Sequence, residues 1–442
     1  ELYYKDYWNE IEKNTEYDVS SFIRDWLAAV RRRTPAIRSV YSIFKDHVKM
    51  KSSGTLEQLT ELLRYSIHYR TITQACSGNE KVDAALRRLA LFYATVTRPF
   101  LLNLFEYRQM QLIDDNEVAE CLLAVESYLF RRWVCSVPTN ALGKIFETLH
   151  GDILRGVETK GSYAEVLKRI LLSKGGNGRF PRDDEFIQAF SERNFYNIQN
   201  YKFYLYDRLE NGDSRERVNV AENLQNGTFS IEHIMPQTLS RDWISGLGED
   251  YEAIQTRWLN SMANLTLTAY NSNYSNRKFE EKRDMENGFK DSGFRINSFV
   301  IQQDSWSEAQ LAKREGLLKE RFLELWPLIT SNFEWPVTEQ EERTLSDDFD
   351  FSGRQISAFT FMGTTYPTDS WADMIHRVLK MIFEIDPLAL QKYVPKDAEF
   401  PGRYFQHNYE DKFMRIGNNL YFSPNSSTRT KIAILLTIFE KA

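Results

Sequence analysis

A histidine and a glutamate stand side by side in the segment from Ser230 to Gln237, which reads SIEHIMPQ. His233 titrates near neutral pH, so it is the candidate general base that deprotonates a water molecule. Glu232 is a candidate ligand for a divalent metal, which would neutralise charge on a phosphate and on its leaving oxygen. Oxygen ligands suit Mg²⁺ or Mn²⁺. The pair therefore predicts phosphodiester hydrolysis at a one-metal site.

Asparagines follow this pair along the chain. Asn264 lies in the run ANLTLT, and we expect it to orient the histidine loop by hydrogen bonding rather than to bind the metal. Asn271, Asn273 and Asn276 come next. Asn271 and Asn276 are candidate metal ligands, because amide carbonyls supply neutral oxygen donors. The spacing from Asn264 leaves open which asparagine binds the metal.

A helix is predicted to begin near Ser275, with Asn276 in its first turn. It carries a basic face that could hold the phosphates of a nucleic-acid backbone, formed by Arg277, Lys278, Lys282 and Arg283. Simpler interpretations stay open for each feature. A basic helix face is usually solvated, a single histidine on a strand is usually structural, and clustered asparagines usually form turns.

Two short strands are predicted to position these residues. The run from Thr228 to Met235 alternates at strand period, and a second strand spans Leu265 to Leu267. Glu232 and His233 point to opposite faces if the first strand is regular, so a bulge or the end of the strand must bring them together. Pro236 fits such an ending, because proline cannot donate a strand hydrogen bond.

Composition limits the class of protein. The 442 residues, 42% hydrophobic and 14% aromatic, indicate an ordered chain with several domains. A net charge of -6 gives no global signal for nucleic acid, although a local basic channel remains possible. We find neither a membrane-spanning apolar run nor a signal peptide, which predicts a cytoplasmic protein. The chain does not begin with Met, so we expect a fragment or processed chain that lacks an N-terminal domain.

The cysteines and histidines are too sparse for other metal chemistry. Cys76, Cys121 and Cys135 form no CxxC pair and lie among apolar residues, which predicts buried free thiols. None of the six histidines clusters with them, so a structural zinc site is not expected.

Helical periodicity dominates residues 1 to about 225, and Asp18 or Ser20 is expected to cap the first clear helix. The further predicted helices are Leu56–Tyr69, Lys81–Tyr107, Asn116–Ser136, Asn140–Arg155, Tyr163–Leu172, Asp183–Phe190 and Ser307–Leu325. A polar stretch near 211–226 marks a boundary. After an acidic linker near 338–350, a strand at Ile356–Phe361, a helix at Trp371–Phe383, a hairpin within Phe413–Phe422 and a closing helix at Thr430–Phe439 predict a small α/β domain.

The quoted motifs resemble the HNH (ββα-metal) nuclease domain of the GmrSD family of modification-dependent restriction enzymes. The segments EHIMPQ, ANLTL and NSNYSNRKFEEKR occur in the order found in that family. Trp306, Arg314 and the run LWP at 325–327 resemble its helical extension. Two upstream segments, FIRDW at 22–26 and VYSIFK at 40–45, resemble the helical region that joins the two halves of such proteins. The resemblance covers roughly residues 16–330.

The resemblance implies a role for each residue. His233 would be the general base, Glu232 a metal-linked carboxylate, Asn276 or Asn271 the helix-side ligand and Asn264 the hairpin asparagine. It implies a Mg²⁺-type metal and cleavage or nicking of foreign DNA, often modified DNA. It also implies a nucleotide-using N-terminal domain with a DGQQR motif, which this sequence lacks.

We therefore predict a predominantly α-helical α+β protein with three domains. These are a helical domain (1–225), an HNH core with a helical extension (226–335) and a small α/β domain (345–442). The expected function is a metal-dependent DNA endonuclease or nickase that acts on modified phage DNA. The alternatives are a catalytically degenerate DNA-binding or interaction module, and an RNA nuclease.

The C-terminal domain leaves two interpretations open. Tyr404, Phe405, His407 and Tyr421 could line a binding face, near a helix that begins with Arg429 and Lys431. Packing or dimerisation through buried aromatic residues is the alternative, so a homo-oligomer is a further expected partner.

Overall fold

Helices dominate the fold because apolar side chains recur at three- and four-residue spacing, and small antiparallel sheets complete it. This confirms the predominantly helical α+β class. The computed structural model describes residues 3–212, 214, 216–270, 274–335, 342–347, 349–391, 393, 402–407 and 413–441. Contacts divide the chain into two units, residues 1–336 and residues 337–442.

The first unit contains the helices α1 (Asn9–Asn14), α2 (Val19–Arg31), α3 (Val40–Met50), α4 (Thr55–Gln74), α5 (Glu80–Leu91), α6 (Arg98–Gln109), α7 (Asp115–Val134), α8 (Leu142–Val157), α9 (Tyr163–Ser173), α10 (Asp183–Glu192), α11 (Tyr201–Asn211), α12 (Val220–Gln225), α13 (Arg241–Leu247), α14 (Tyr251–Trp258), α15 (Phe279–Asp284) and α16 (Glu308–Leu325). Asp18 is one of the two predicted caps of α2. Its side chain accepts a hydrogen bond from the backbone N–H of Ser21.

One predicted helix, Lys81–Tyr107, is wrong. The structure divides it into α5 and α6, separated by six residues. Tyr93 has a φ of 56°, in the left-handed region that a helix cannot contain. Pro99 then occupies the first turn of α6, where its missing N–H costs nothing.

The core of the first unit is centred on α7 and rich in aromatic rings. Phe130 stacks on Trp326 with ring centroids 3.7 Å apart, and the Trp326 indole N–H donates to the Tyr204 hydroxyl at 2.6 Å. Leu265 and Leu267 of the second strand belong to the same core. The sequence predicted a boundary near residue 225, and segments on both sides of that position contribute to this core.

The hairpin of the first unit pairs β1 (Ser230–His233) with β2 (Leu265–Thr268) in antiparallel register. Glu232 lies opposite Thr266 and His233 opposite Leu265. The register is continuous, so β1 contains no bulge and ends directly after His233.

The second unit contains β3 (Ala358–Phe361), β4 (Thr364–Pro367), α17 (Trp371–Ile385), α18 (Pro387–Gln391), β5 (Phe405–Gln406), β6 (Met414–Gly417), β7 (Leu420–Phe422) and α19 (Thr428–Lys441). β3 pairs with β4, and a second sheet has the order β5-β7-β6. These elements confirm the predicted strand, helix, hairpin and closing helix. Phe405 and Phe422 are buried in the core of this unit, whereas His407 is exposed.

The cysteine prediction is partly wrong. All three cysteines are free thiols, but Cys121 is buried, Cys135 is half-buried and Cys76 is exposed. Cys76 turns outward because α4 ends at a left-handed Ala75. No helix among the described residues is long and apolar enough to cross a bilayer.

Candidate active site

Asn264 holds the turn after β1. Its side chain is fully buried, and its Oδ1 accepts a hydrogen bond from the Met235 backbone N–H at 2.8 Å. Its Nδ2 donates to the carbonyl oxygens of Met235 at 2.9 Å and Leu259 at 3.0 Å. The backbone carbonyl of Asn264 also accepts from Ile234 N–H at 2.9 Å. These contacts fix the course of the chain immediately after His233, and they are the contacts of an orienting residue.

Arg314, on α16, holds the backbone on both sides of Asn264. One guanidinium nitrogen donates to the carbonyls of Ala263 at 2.8 Å and Leu265 at 3.0 Å, and the other donates to Ile296 at 3.2 Å. Burial lowers the pKa of Arg314 to about 10, so the group still carries its charge at neutral pH. α16 therefore contributes directly to the geometry of the hairpin.

Lys282, on α15, forms a buried ion pair with Glu232. Its ammonium nitrogen lies 2.7 Å from Oε1 of Glu232 and also donates to the carbonyls of His233 at 2.9 Å and Ile234 at 3.2 Å. Burial raises the pKa of Glu232 and lowers the pKa of Lys282, while the attraction between the two charges opposes both shifts. The pair thus connects α15 to the end of β1.

The burial of Lys282 does not suit the phosphate contact that the sequence predicted for it. Its side chain is fully shielded from solvent. α15 begins at Phe279, which places Phe279 and Lys282 three residues apart on its inward face. Lys282 is therefore a buried partner of Glu232 and not a surface cation.

His233 is held by hydrogen bonds at both ring nitrogens. Its Nε2 lies 3.1 Å from Oδ1 of Asn260, and its Nδ1 lies 3.3 Å from Nε2 of Gln237. Because an amide oxygen only accepts, Nε2 carries the proton and the lone pair is on Nδ1. Burial and the charge of Lys282 lower the pKa of His233, although the hydrogen bond to Asn260 opposes the shift.

Tyr196 covers one side of the imidazole. Its ring centroid lies 4.3 Å from that of His233, with 52° between the planes, and the tyrosine is 36% exposed. The neighbouring Phe195 N–H donates to the backbone carbonyl of Asn260 at 2.9 Å. The segment between α10 and α11 therefore contacts the histidine both directly and through Asn260.

No sequence pattern assigned Asn260, Gln237 or Tyr196 to the site. Gln237 belongs to the quoted motif and could have been chosen as a neighbour of the histidine. Asn260 lies four residues before Asn264, and this spacing did not indicate that it belongs to the site. Tyr196 precedes His233 by 37 residues on a different segment, so only the tertiary structure brings it to the imidazole.

The predicted helix start near Ser275 is wrong. Ser275 has a φ of 44°, and Lys278 is extended as the N-cap of α15, so the helix begins at Phe279. Asn276 therefore lies exposed in the turn before α15 and not in its first turn. Asn271 lies outside the described residues.

The four predicted basic residues do not form one face. Arg277 and Lys278 are exposed before the helix, and the Arg277 carbonyl accepts from the Trp243 indole at 2.8 Å. Arg283 is paired with Asp284 at 2.7 Å and Asp304 at 2.9 Å, and these carboxylates raise the pKa of its guanidinium. Lys282 is buried, so the solvent-facing positive charge of this segment comes from Arg277 and Lys278.

The site offers mainly oxygen atoms as possible metal ligands, and it offers few of them. Among the described residues, no group of three or more His, Cys, Asp or Glu side chains is arranged to hold a metal ion. Glu232 is the carboxylate beside His233, and one of its oxygens already accepts from Lys282.

Residues 180–321 match the family model of GmrSD restriction endonucleases, C-terminal domain. This region is similar to the C-terminal domain of the GmrSD family. The GmrSD match includes β1, β2, α15 and most of α16, and thus Glu232, His233, Asn264, Lys282 and Arg314. It supports a nuclease role in restriction. No curated protein matches the chain.

Proposed function

We propose that this chain is a metal-dependent HNH-type endodeoxyribonuclease or nickase that hydrolyses foreign DNA in restriction. The observation that carries the proposal is the placement of the His233 imidazole at the end of β1, held through Nε2 by Asn260, within the GmrSD-matched region. Modified phage DNA is the proposed substrate, and the cytoplasm is the proposed compartment. A nucleotide-using N-terminal domain and a second copy of the chain are proposed partners.

In the proposed mechanism, Nδ1 of His233 accepts a proton from the attacking water. Gln237 must first release Nδ1. The Gln237 side chain is exposed, so burial does not hold it in place as it holds Asn264. Asn260 keeps the proton on Nε2, which leaves Nδ1 as the basic atom. Asn264 holds the loop after His233, so the imidazole keeps its position as the proton moves.

The proposed metal is Mg²⁺ or Mn²⁺, since the proposed ligands are a carboxylate and an amide oxygen. Glu232 would hold the ion, with Asn271 or Asn276 as the second protein ligand. When bound, the ion would neutralise charge on the scissile phosphate. Lys282 holds one oxygen of Glu232 and so fixes the orientation of the carboxylate. Exposed Arg277 and Lys278 are the proposed contacts to backbone phosphates.

A cleavage assay on supercoiled plasmid tests this function. We expect the parent protein to convert the plasmid to nicked or linear DNA with Mg²⁺ or Mn²⁺ and to be inactive with chelator. His233→Ala should lower the rate by at least about 100-fold, because it removes the general base. His407→Ala, at an exposed histidine of the second unit, is the matched control and should cleave normally. Normal cleavage by folded His233→Ala would show the assignment to be wrong.

The Glu232–Lys282 ion pair specifically favours a second candidate, a degenerate module that binds DNA without cutting it. In that case the lysine has replaced the metal as the partner of the carboxylate. Duplex binding without turnover in any metal would support this candidate. A parallel RNA substrate distinguishes a ribonuclease, because the site does not encode the sugar.

A further inference from the structure

Positive charge is concentrated in residues 31–51, far from the GmrSD-matched region in sequence. This segment contains seven Lys or Arg residues and one Asp, whereas the whole chain has a net charge of -6. It covers the end of α2, the connection to α3 and α3 itself. Such local charge is what a polyanion partner would recognise in an acidic protein.

One face of α3 packs against α2. Trp26 of α2 contacts Phe44 and His47, with ring centroids 6.1 and 5.2 Å apart. None of the residues of α3, all of which are described, is fully buried. The helix is therefore fixed through one side and open along the other.

The open side carries a basic stripe that contains one aromatic residue. Arg38, Tyr41, Lys45 and Lys49 are separated by three, four and four positions, which places them on one face at helical period. All four are exposed, and Tyr41 is 75% exposed. The rise from Lys45 to Lys49 is about 6 Å, close to the axial distance of about 7 Å between phosphates two steps apart on one DNA strand.

These charges are not neutralised by neighbours. Within the described part of the chain, no carboxylate forms an ion pair with Arg38, Lys45 or Lys49. By contrast, Lys51 pairs with Glu61, and Arg32 packs against the backbone of Gly151, where a Cβ atom would lie 2.3 Å from the guanidinium carbon. The basic residues of the stripe are thus available to a partner, because no ion pair within the described part of the chain occupies them.

Arg31 and Arg33 extend the same surface. Both are exposed at the end of α2, where the left-handed Arg32 turns the chain toward α3. The charges of Arg31 and Lys51 both add to the effect of burial in lowering the pKa of His47 on α3. The charge of Arg31, at the end of α2, therefore acts on a residue of α3.

We propose that Arg31, Arg33, Arg38, Tyr41, Lys45 and Lys49 form a docking surface for the backbone of duplex DNA. We call it the α3 surface. The choice of DNA as the polyanion rests on the proposed function. The charge and the spacing of these residues support the docking surface itself. The α3 surface contacts phosphates and so supplies affinity without sequence preference.

Duplex binding measured by fluorescence anisotropy in chelator tests the α3 surface without catalysis. The probe is a labelled 30-base-pair duplex, titrated with the protein over a series of salt concentrations. We expect the triple variant Arg38→Glu/Lys45→Glu/Lys49→Glu to raise Kd at least about 10-fold and to reduce the slope of log K against log salt by about 0.9 per lost phosphate contact. Lys5→Glu/Lys81→Glu/Arg169→Glu, at exposed positions elsewhere, changes net charge equally and should retain most of the affinity.

Three outcomes would overturn the proposal. The α3 variant could bind DNA with the parent's Kd and salt slope, or the control variant could lose as much affinity as the α3 variant. Anionic phospholipid vesicles could instead bind through these residues while duplex binding stays unchanged, which would assign the surface to membranes. Failure of the nuclease assignment is distinguishable, because it would appear as metal-dependent cleavage by His233→Ala and would leave this binding result intact.

Discussion

The ammonium nitrogen of Lys282 lies 2.7 Å from Oε1 of Glu232, and both side chains are buried. The two residues are 50 positions apart, so their contact connects α15 to the end of β1. The same nitrogen donates to the carbonyls of His233 and Ile234. Lys282 therefore fixes both the carboxylate and the backbone of the histidine, from a position that the sequence had suggested for phosphate binding.

Removing one member of this pair should be costly. Lys282→Met leaves Glu232 buried without its cation, and we expect a loss of about 3–5 kcal/mol in the free energy of unfolding. Urea denaturation measures this loss. Lys278→Met, at an exposed position of the same segment, is the control and should change stability by less than about 0.5 kcal/mol. The double variant Glu232→Gln/Lys282→Met should recover part of the loss, since it leaves no unpaired charge; a larger loss in the double variant would contradict this explanation.

Asn264→Asp tests whether the amide group of Asn264 is needed. The aspartate keeps an acceptor for the Met235 N–H but loses the donors to the carbonyls of Met235 and Leu259. We expect a loss of about 2–4 kcal/mol, because two carbonyls stay unsatisfied and a carboxylate becomes buried. Thermal denaturation checks stability, and the plasmid assay should show reduced cleavage at a temperature where the variant is folded. Unchanged stability would show that these hydrogen bonds do not hold the loop.

Tyr196 should act through the face of its ring. Tyr196→Ala uncovers the His233 imidazole and should lower the cleavage rate about 10-fold, which corresponds to about 1.4 kcal/mol. Tyr196→Phe keeps the ring that packs at 4.3 Å and should stay within about twofold of the parent. Equal damage in both variants would assign the effect to the hydroxyl group instead.

His150 should make the first unit less stable in mild acid. Burial and the charge of Arg32 lower the pKa of His150 to about 4, and its Nδ1 lies 2.8 Å from the Tyr163 hydroxyl. The unfolded chain, with an ordinary histidine pKa of about 6.5, binds the proton first as pH falls. The contribution of His150 is therefore complete above about pH 6.5 and is lost toward pH 4, by up to about 3 kcal/mol.

Urea denaturation at several pH values measures this effect. His150→Gln keeps a hydrogen-bonding group for Tyr163 and cannot take up a proton in this range. We expect its stability to fall less steeply than that of the parent between pH 6.5 and 4, since other groups still titrate. Parallel curves for the two proteins would mean that His150 does not titrate as its burial suggests.

The sequence by itself determined the local elements and the residue types of the site. Apolar spacing predicted helices α2, α4, α7, α8, α9, α10 and α16 of the first unit. Alternation predicted the hairpin strands, because side-chain periodicity is set directly by backbone geometry. The motif around Glu232 and His233 also indicated the GmrSD family, and the family-model match to residues 180–321 supports that resemblance. Where local backbone strain decided the outcome, as at Tyr93 and Ser275, periodicity failed.

The tertiary structure decided which side chains meet. Lys282 and Arg283 are adjacent in sequence, yet one is buried against Glu232 and the other pairs with Asp284 and Asp304. Tyr196 and Asn260 reach His233 from separate segments. Residue type sets what a side chain can do, but packing sets its solvent exposure and partners, and these long-range contacts leave no periodic pattern in the sequence.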